Sequence, residues 1–457
     1  MEVSEKLTWI ELDKKHFFHP SSSIKDSYEK GPVVFMERGE GIYIYDADGK
    51  EYVDGLSSLW NVNVGHGRKE LAESASEQMK KLAYTHSFSR FSHKPAVQLA
   101  EKIASLAPGD LSVVHFTSGG SESNDSAFKI ARHYFKLKGQ SQRFKIIARD
   151  RAYHGVSMGA TSATGLSIFR ELGGPLAAGF IHASAPYSYR CEECKPECKG
   201  DCAIESIYDL IEQEGAETIA AIIIEPVQGA GGVIIPPPDY IKAVRKICDK
   251  FGILMIADEV ITGFGRTGKW FGIEHEGVVP DMITFAKGVT SGYIPLGGVV
   301  ISERIYRELV EHSNQNFAHG FTYSGHPAAC AVALKNIEII TNEKLVENAA
   351  GMGILLQQGL EKIKNELDIV GNVMSRGLLG HIEIVKDKTS KEAFSSSHKV
   401  ASQITEQAFE YGLITRPIMY NNTDIIAICP PLIINEQQIN QLLDILQESI
   451  KKIMGRI

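Results

Sequence analysis

Between about residue 110 and residue 300 the chain alternates short apolar runs with longer stretches of helical period. Short apolar runs bounded by turn signals read as strands covered on both faces. Apolar positions recurring at three and four residues read as amphipathic helices. The strand-like runs are 113–116, 144–148, 219–224, 253–257, 282–285 and 297–301, and helical stretches at 121–138, 204–214 and 240–251 fill several of the gaps. Alternation of this kind predicts an α/β protein, a largely parallel sheet with helices on both faces. On the N-terminal side, apolar and polar residues alternate across 41–54 around Asp48-Gly49, which predicts a hairpin with a DG turn. Helical period follows at 68–82 and 93–106. Beyond 327 helices come first, at 327–341 and 343–364. Strands follow near 381–385 and 425–429, and an amphipathic helix covers 436–454. The hairpin and this C-terminal part are each too small to stand alone. They are expected to pack as one discontinuous small α+β domain, 1–64 with 328–457, beside a large domain at 65–327.

Length and charge narrow the classes. A chain of 457 residues is too long for one compact core. A net charge of −8 gives no support to a general nucleic-acid or membrane-surface role. No apolar run reaches the roughly 18 residues that span a bilayer, and the first residues have no signal or transit character, so the cytoplasm is the default expectation. Of the seven cysteines, Cys248, Cys330 and Cys429 lie in apolar surroundings and read as small core residues. Cys191, Cys194, Cys198 and Cys202 are spaced C-x2-C-x3-C-x3-C. Tight spacing in a cytosolic chain suggests a metal before a disulfide. Zinc ribbons, however, usually split their ligands into separated pairs. A bound metal, a conditional disulfide and plain loop thiols all remain readings.

The candidate chemistry gathers at predicted strand ends, where open α/β sheets bind ligands. Lys287 follows the run 282–285, and Asp258 ends the run before it. A buried lysine is costly unless paired or covalently used, so the pair reads as a cofactor held between amine and acid, or as a salt bridge at a sheet edge. Thr117-Ser118-Gly119-Gly120-Ser121 follows a strand and opens a helix, which suits a phosphate cradle; an ordinary helix N-cap uses the same residues. Tyr153 suits stacking on a flat ring, or packing on the core. Glu225 follows another strand end, Arg416 could clamp a carboxylate or sit on the surface, and Trp60 is by default a core aromatic. Gly263 to Lys269 nearly spells a P-loop, but Trp270 stands where a Mg²⁺-binding hydroxyl is required. An amine, an acid and a phosphate cradle at the ends of one sheet fit one phosphorylated aromatic aldehyde, pyridoxal 5′-phosphate (PLP).

At these residues the chain resembles the class III PLP-dependent aminotransferases of fold type I, and more closely the ω-amino acid or amine–pyruvate transaminases. The resemblance rests on Ile256-Ala-Asp258-Glu-Val260 through Gly268, Phe285-Ala-Lys287-Gly288, Ser118 to Asp125, Glu225-Pro-Val-Gln-Gly229 and Phe321 to Pro327. It implies a mostly parallel seven-stranded sheet and ping-pong transamination from an amine or ω-amino acid to a keto acid acceptor, pyruvate being the one expected. It implies that Lys287 holds PLP covalently and later serves as base, while Asp258 keeps the ring nitrogen protonated. Val260 and Tyr153 would cover the two ring faces, and Gly120 and Ser121 would hold the phosphate. Thr322 would reach the phosphate of the neighbouring subunit, which implies a homodimer with shared sites, or a tetramer of such dimers. Glu225 would lie near the ring, Arg416 at the pocket entrance, and Trp60 and Phe88 at the substrate walls, with Phe88 from either subunit. No catalytic metal is implied, and the cysteine cluster falls between the motifs. A 2-oxoglutarate acceptor, or a racemase or aminomutase outcome on the same fold, is the alternative.

Overall fold

The computed structural model describes residues 3–191, 198–421 and 423–456. Near the N-terminus β1 (Met36–Glu40), β2 (Tyr43–Asp46) and β3 (Glu51–Asp54) form an antiparallel meander. Asp46 closes its second turn, accepting the N–H groups of Asp48 and Lys50 at 3.0 and 2.9 Å. Gly49 there has φ +84°, a conformation glycine adopts at little cost.

The central sheet comprises β4 (Leu111–Thr117), β5 (Lys145–Arg149), β6 (Phe180–Ala183), β7 (Ile219–Ile224), β8 (Leu254–Asp258), β9 (Met282–Phe285) and β10 (Gly297–Ser302). Its seven strands are ordered β4-β10-β9-β8-β7-β5-β6. From β9 to β6 every pair is parallel. Residues of β7, β8 and β9 are buried throughout, which is why their sequences run apolar without alternation. β10 runs antiparallel to both β9 and β4. The link from β9 to β10 holds only the single 3-10 turn Lys287–Val289, too short for the crossover that a parallel neighbour needs. The helix Gly120–Leu137 packs on the sheet, as does Tyr240–Phe251.

The C-terminal part adds β11 (Val370–Ser375), β12 (Gly380–Ile384), β13 (Leu413–Ile414), β14 (Arg416–Tyr420) and β15 (Thr423–Ile428). An antiparallel sheet takes the order β11-β12-β15-β14. β13 instead pairs in parallel with β3, giving the N-terminal meander a fourth strand from the far end of the chain. Arg266, fully buried, ties the same parts together. Its guanidinium donates to Ser57 Oγ and Asn63 Oδ1 at 3.0 and 2.9 Å, and to the Leu378 and Pro430 carbonyls. The stretch that nearly spells a P-loop therefore fastens chain segments to one another. Among the described residues no helix is long and apolar enough to cross a membrane.

Candidate active site

β8 and β9 lie side by side with Asp258 opposite Thr284, so the carboxylate and the lysine just beyond β9 open at the same sheet edge. Lys287 has φ +47°, left-handed backbone that costs a side-chain-bearing residue energy and turns the chain sharply out of the strand. Both residues line a cavity of about 140 Å³, together with Gly120, Ser121, Tyr153, Glu225 and Val260.

Asp258 is almost fully buried and held from three sides. His154 Nδ1 lies 2.7 Å from its Oδ2, Asn124 Nδ2 donates to the same oxygen at 2.8 Å, and the Val260 N–H donates to Oδ1 at 3.1 Å. Glu225 is buried beside it. Its carboxylate accepts the Tyr153 and Gly229 N–H groups at 3.1 and 3.0 Å. Burial pushes the Glu225 carboxyl above its ordinary value, and the neighbouring Asp258 charge adds to that. Burial pulls the Lys287 amine down to about 8, against the opposing attraction of Asp258 and Glu225.

At the other end of the cavity the helix Gly120–Leu137 begins, presenting N–H groups that no intrahelical carbonyl can take. Ser121 Oγ accepts the Val156 N–H at 3.1 Å. Space there is made by glycine. A Cβ on Gly120 would stand 2.9 Å from Val260 Cγ1, and one on Gly155 would stand 2.3 Å from Ser121 Oγ.

The family model for class III aminotransferases matches residues 24–450. The chain belongs to the class III aminotransferases. It is 40% identical to the putrescine–pyruvate aminotransferase of Pseudomonas aeruginosa over 446 residues, 97% of this chain and 95% of the relative. The crystal structure of a transaminase from the marine bacterium Virgibacillus superposes with a TM-score of 0.95 at 53% identity, covering 98% of this chain and 99% of that one. A thermostable (S)-enantioselective omega-transaminase from Thermomicrobium roseum gives 0.93 at 44% identity, covering 99% and 100%. The fold is that of the fold type I PLP enzymes, and the cofactor of this class is PLP. The site's chemistry fits that cofactor: an amine of lowered pKa, a buried fixed carboxylate, and a glycine-lined helix N-terminus for an anion.

The remaining residues expected at the site are placed differently. Arg416 opens β14 half-buried, and among the described residues its guanidinium has no hydrogen-bond or ion-pair partner. Its charge is felt by Tyr153 and Lys287. Trp60 is 2% exposed and packs in a cluster with Val227 and Ile261, two residues that line the cavity, so it backs the wall. Phe88 and Thr322 are exposed and are not among the cavity's lining residues. Sequence reasoning missed His154 and Asn124 as holders of Asp258. Both stood inside motifs already singled out, beside Tyr153 and one helical turn after Ser121.

Proposed function

We infer that this class III aminotransferase moves an amino group from a primary amine or ω-amino acid to pyruvate in two half-reactions on one site. The observation that carries this reading is the unpartnered guanidinium of Arg416, whose charge reaches Tyr153 and Lys287. A half-buried cation without a partner suits a carboxylate, and bidentate pairing would orient the keto acid. With a donor that lacks an α-carboxylate, the same side chain would turn away. Amine donors and a pyruvate acceptor agree with the activity for which the Pseudomonas relative is named.

In this reading Lys287 holds PLP covalently, Gly120, Ser121 and the helix N-terminus hold its phosphate, and Val260 and Tyr153 cover the ring. When bound, PLP would supply the carrier for the amino group and the sink for the electron pair left on the donor carbon. Asp258, fixed by His154 and Asn124, holds a proton on the ring nitrogen. Lys287, its amine pulled down to about 8 by burial, would take the proton from the donor carbon and deliver it to the cofactor's aldehyde carbon, and reverse the transfer with the keto acid. The donor leaves as an aldehyde or ketone whose oxygen comes from water, and pyruvate leaves as alanine.

The site is assigned to a homodimer. Thr322 is exposed beside an aromatic pair, its carbonyl accepting the Tyr84 hydroxyl at 2.7 Å and the exposed Tyr84 and Tyr323 rings meeting edge to face, a surface suited to covering by a second copy that would receive Thr322 at its own site. We also assign 1–64 and 328–457 to one small domain and 65–327 to a large one. The β3–β13 pairing and the Cys429 N–H to Gly55 carbonyl bond at 2.7 Å support it. A donor panel run separately with pyruvate and 2-oxoglutarate tests the reaction. Alanine formation from amines lacking an α-carboxylate is expected. Product from 2-oxoglutarate alone, or from α-amino acids alone, would overturn the reading.

A further inference from the structure

Between β6 and the helix Asp201–Glu214 the chain carries the cysteine-rich segment, which the aminotransferase reading leaves without a task. Cys191, Cys198 and Cys202 converge there. Cys191 Sγ and Cys202 Sγ are 3.3 Å apart, Cys198 Sγ and Cys202 Sγ are 3.6 Å apart, and all three sulfurs lie within 4.8 Å of one another. Thiolates on one tetrahedral zinc, each at about 2.3 Å, stand roughly 3.8 Å from one another. The observed spacing is close to that.

The backbone supplies what thiolates need. The Gly200 N–H donates to Cys198 Sγ at 3.3 Å. Gly200 reaches that position with φ +88°, left-handed backbone that glycine tolerates, and it also caps the helix. Cys202 is the second residue of that 14-residue helix, where the unpaired N–H groups and the positive end of the dipole favour an anionic sulfur.

We propose that Cys191, Cys198 and Cys202 bind one zinc ion as a structural site that fastens this segment. Cys194, also in the sequence pattern, lies outside the described residues, and the three observed sulfurs carry the proposal without it. Soft thiolate ligands select zinc over the harder divalent cations of the cell. The same segment reaches the C-terminal sheet. The Tyr187 hydroxyl donates to Glu383 Oε2 on β12, and Arg190 Nε donates to Glu383 Oε1 at 2.6 Å. Arg151 bridges next to it, its guanidinium 5.3 Å from the Tyr187 ring centre and 5.0 Å from that of Tyr420. The ion would thus fix the start of the helix Asp201–Glu214 to the stretch just before Cys191, whose Tyr187 and Arg190 meet β12.

The test is metal analysis of the full-length holoenzyme, purified under reducing conditions without chelator or metal-affinity resin. About one zinc per chain is expected, as for structural thiolate sites. Cys198→Ser and Cys202→Ser should each lower it about tenfold or more while PLP content stays unchanged, the ligand set being incomplete. Should either variant fail to fold, a mercurial added to the wild-type enzyme reads the same site, releasing about one equivalent of zinc as its thiols are titrated. Enzyme produced with cobalt should show thiolate-to-metal charge-transfer absorption. Wild-type enzyme without zinc after supplementation, zinc retained in full by both variants, or cobalt enzyme without those bands would overturn the proposal.

Discussion

At Lys287 two physical effects pull in opposite directions. Burial disfavours the ammonium, while Asp258 and Glu225 favour it, and burial wins by bringing the amine to about 8. In the unfolded chain the same amine keeps its proton up to about 10.5, so the unfolded state binds more protons across the window from about 8 to 10.5. This contribution therefore destabilises the cofactor-free fold below pH 8 and fades as pH rises. Lys287→Met should stabilise the cofactor-free enzyme near pH 7, with the gain over wild type shrinking by pH 10; equilibrium denaturation at both values reads it. In turnover, Lys287→Ala should lose about 10³-fold or more, as expected when a covalent residue is removed. His154→Ala should lower kcat by about 10- to 100-fold, because Asp258 would stay buried but lose one of its three holds. A kcat unchanged in that variant would remove His154 from the positioning of Asp258. Lys287 and Asp258 were legible in the sequence because each sits at the end of an apolar run. His154 and Asn124 were not, since they meet Asp258 across 104 and 134 residues of chain.

Among the elements, the join between β4 and the helix Gly120–Leu137 carries a geometric demand. Gly120 faces Val260 so closely that an added methyl would stand 2.9 Å from Cγ1. Overpacking of this kind costs about 1–3 kcal/mol. Gly120→Ala should therefore destabilise the cofactor-free enzyme by about that much, read by equilibrium denaturation, and, by shifting the phosphate end of the cavity, raise the PLP dissociation constant about tenfold, read by equilibrium dialysis. Periodic helices and fully apolar strands were read from sequence to their ends: the helices 240–251 and 436–454, and the strands 219–224 and 282–285, are as observed. β6 escaped notice because four residues, partly buried at the sheet's edge, carry neither a long apolar run nor alternation. The antiparallel course of β10 was equally hidden, since direction follows from the length of the β9–β10 link and leaves no mark within the strand. The helix Val400–Glu410 was also missed, its apolar period lying beside the irregular stretch before it.

On the scale of the whole molecule, what one chain leaves open is as informative as what it closes. The phosphate end of the cavity, the amine and the carboxylate are assembled within one chain, whereas Thr322 and Phe88 lie outside that lining. No sequence pattern within a chain specifies where a second copy sits, and for this reason these two residues could be named only through family resemblance. If Thr322 serves the neighbouring site, co-expressed Lys287→Ala and Thr322→Ala chains should regain activity. Their mixed dimer would hold one site with an intact Lys287 from one chain and an intact Thr322 from the other. A mixture no more active than the Thr322→Ala homodimer would place Thr322 in its own subunit's chemistry or in none. The central claim, an amine-to-pyruvate exchange anchored at Lys287, is tested most directly by a single half-reaction. Enzyme saturated with PLP is mixed with each amine of the donor panel in turn and no acceptor. About one equivalent of oxidised donor per site should form, the bound cofactor should turn wholly to its aminated form, and pyruvate should then restore it with alanine as product. Continuous product formation without acceptor, or a cofactor left unchanged by every amine, would contradict the account.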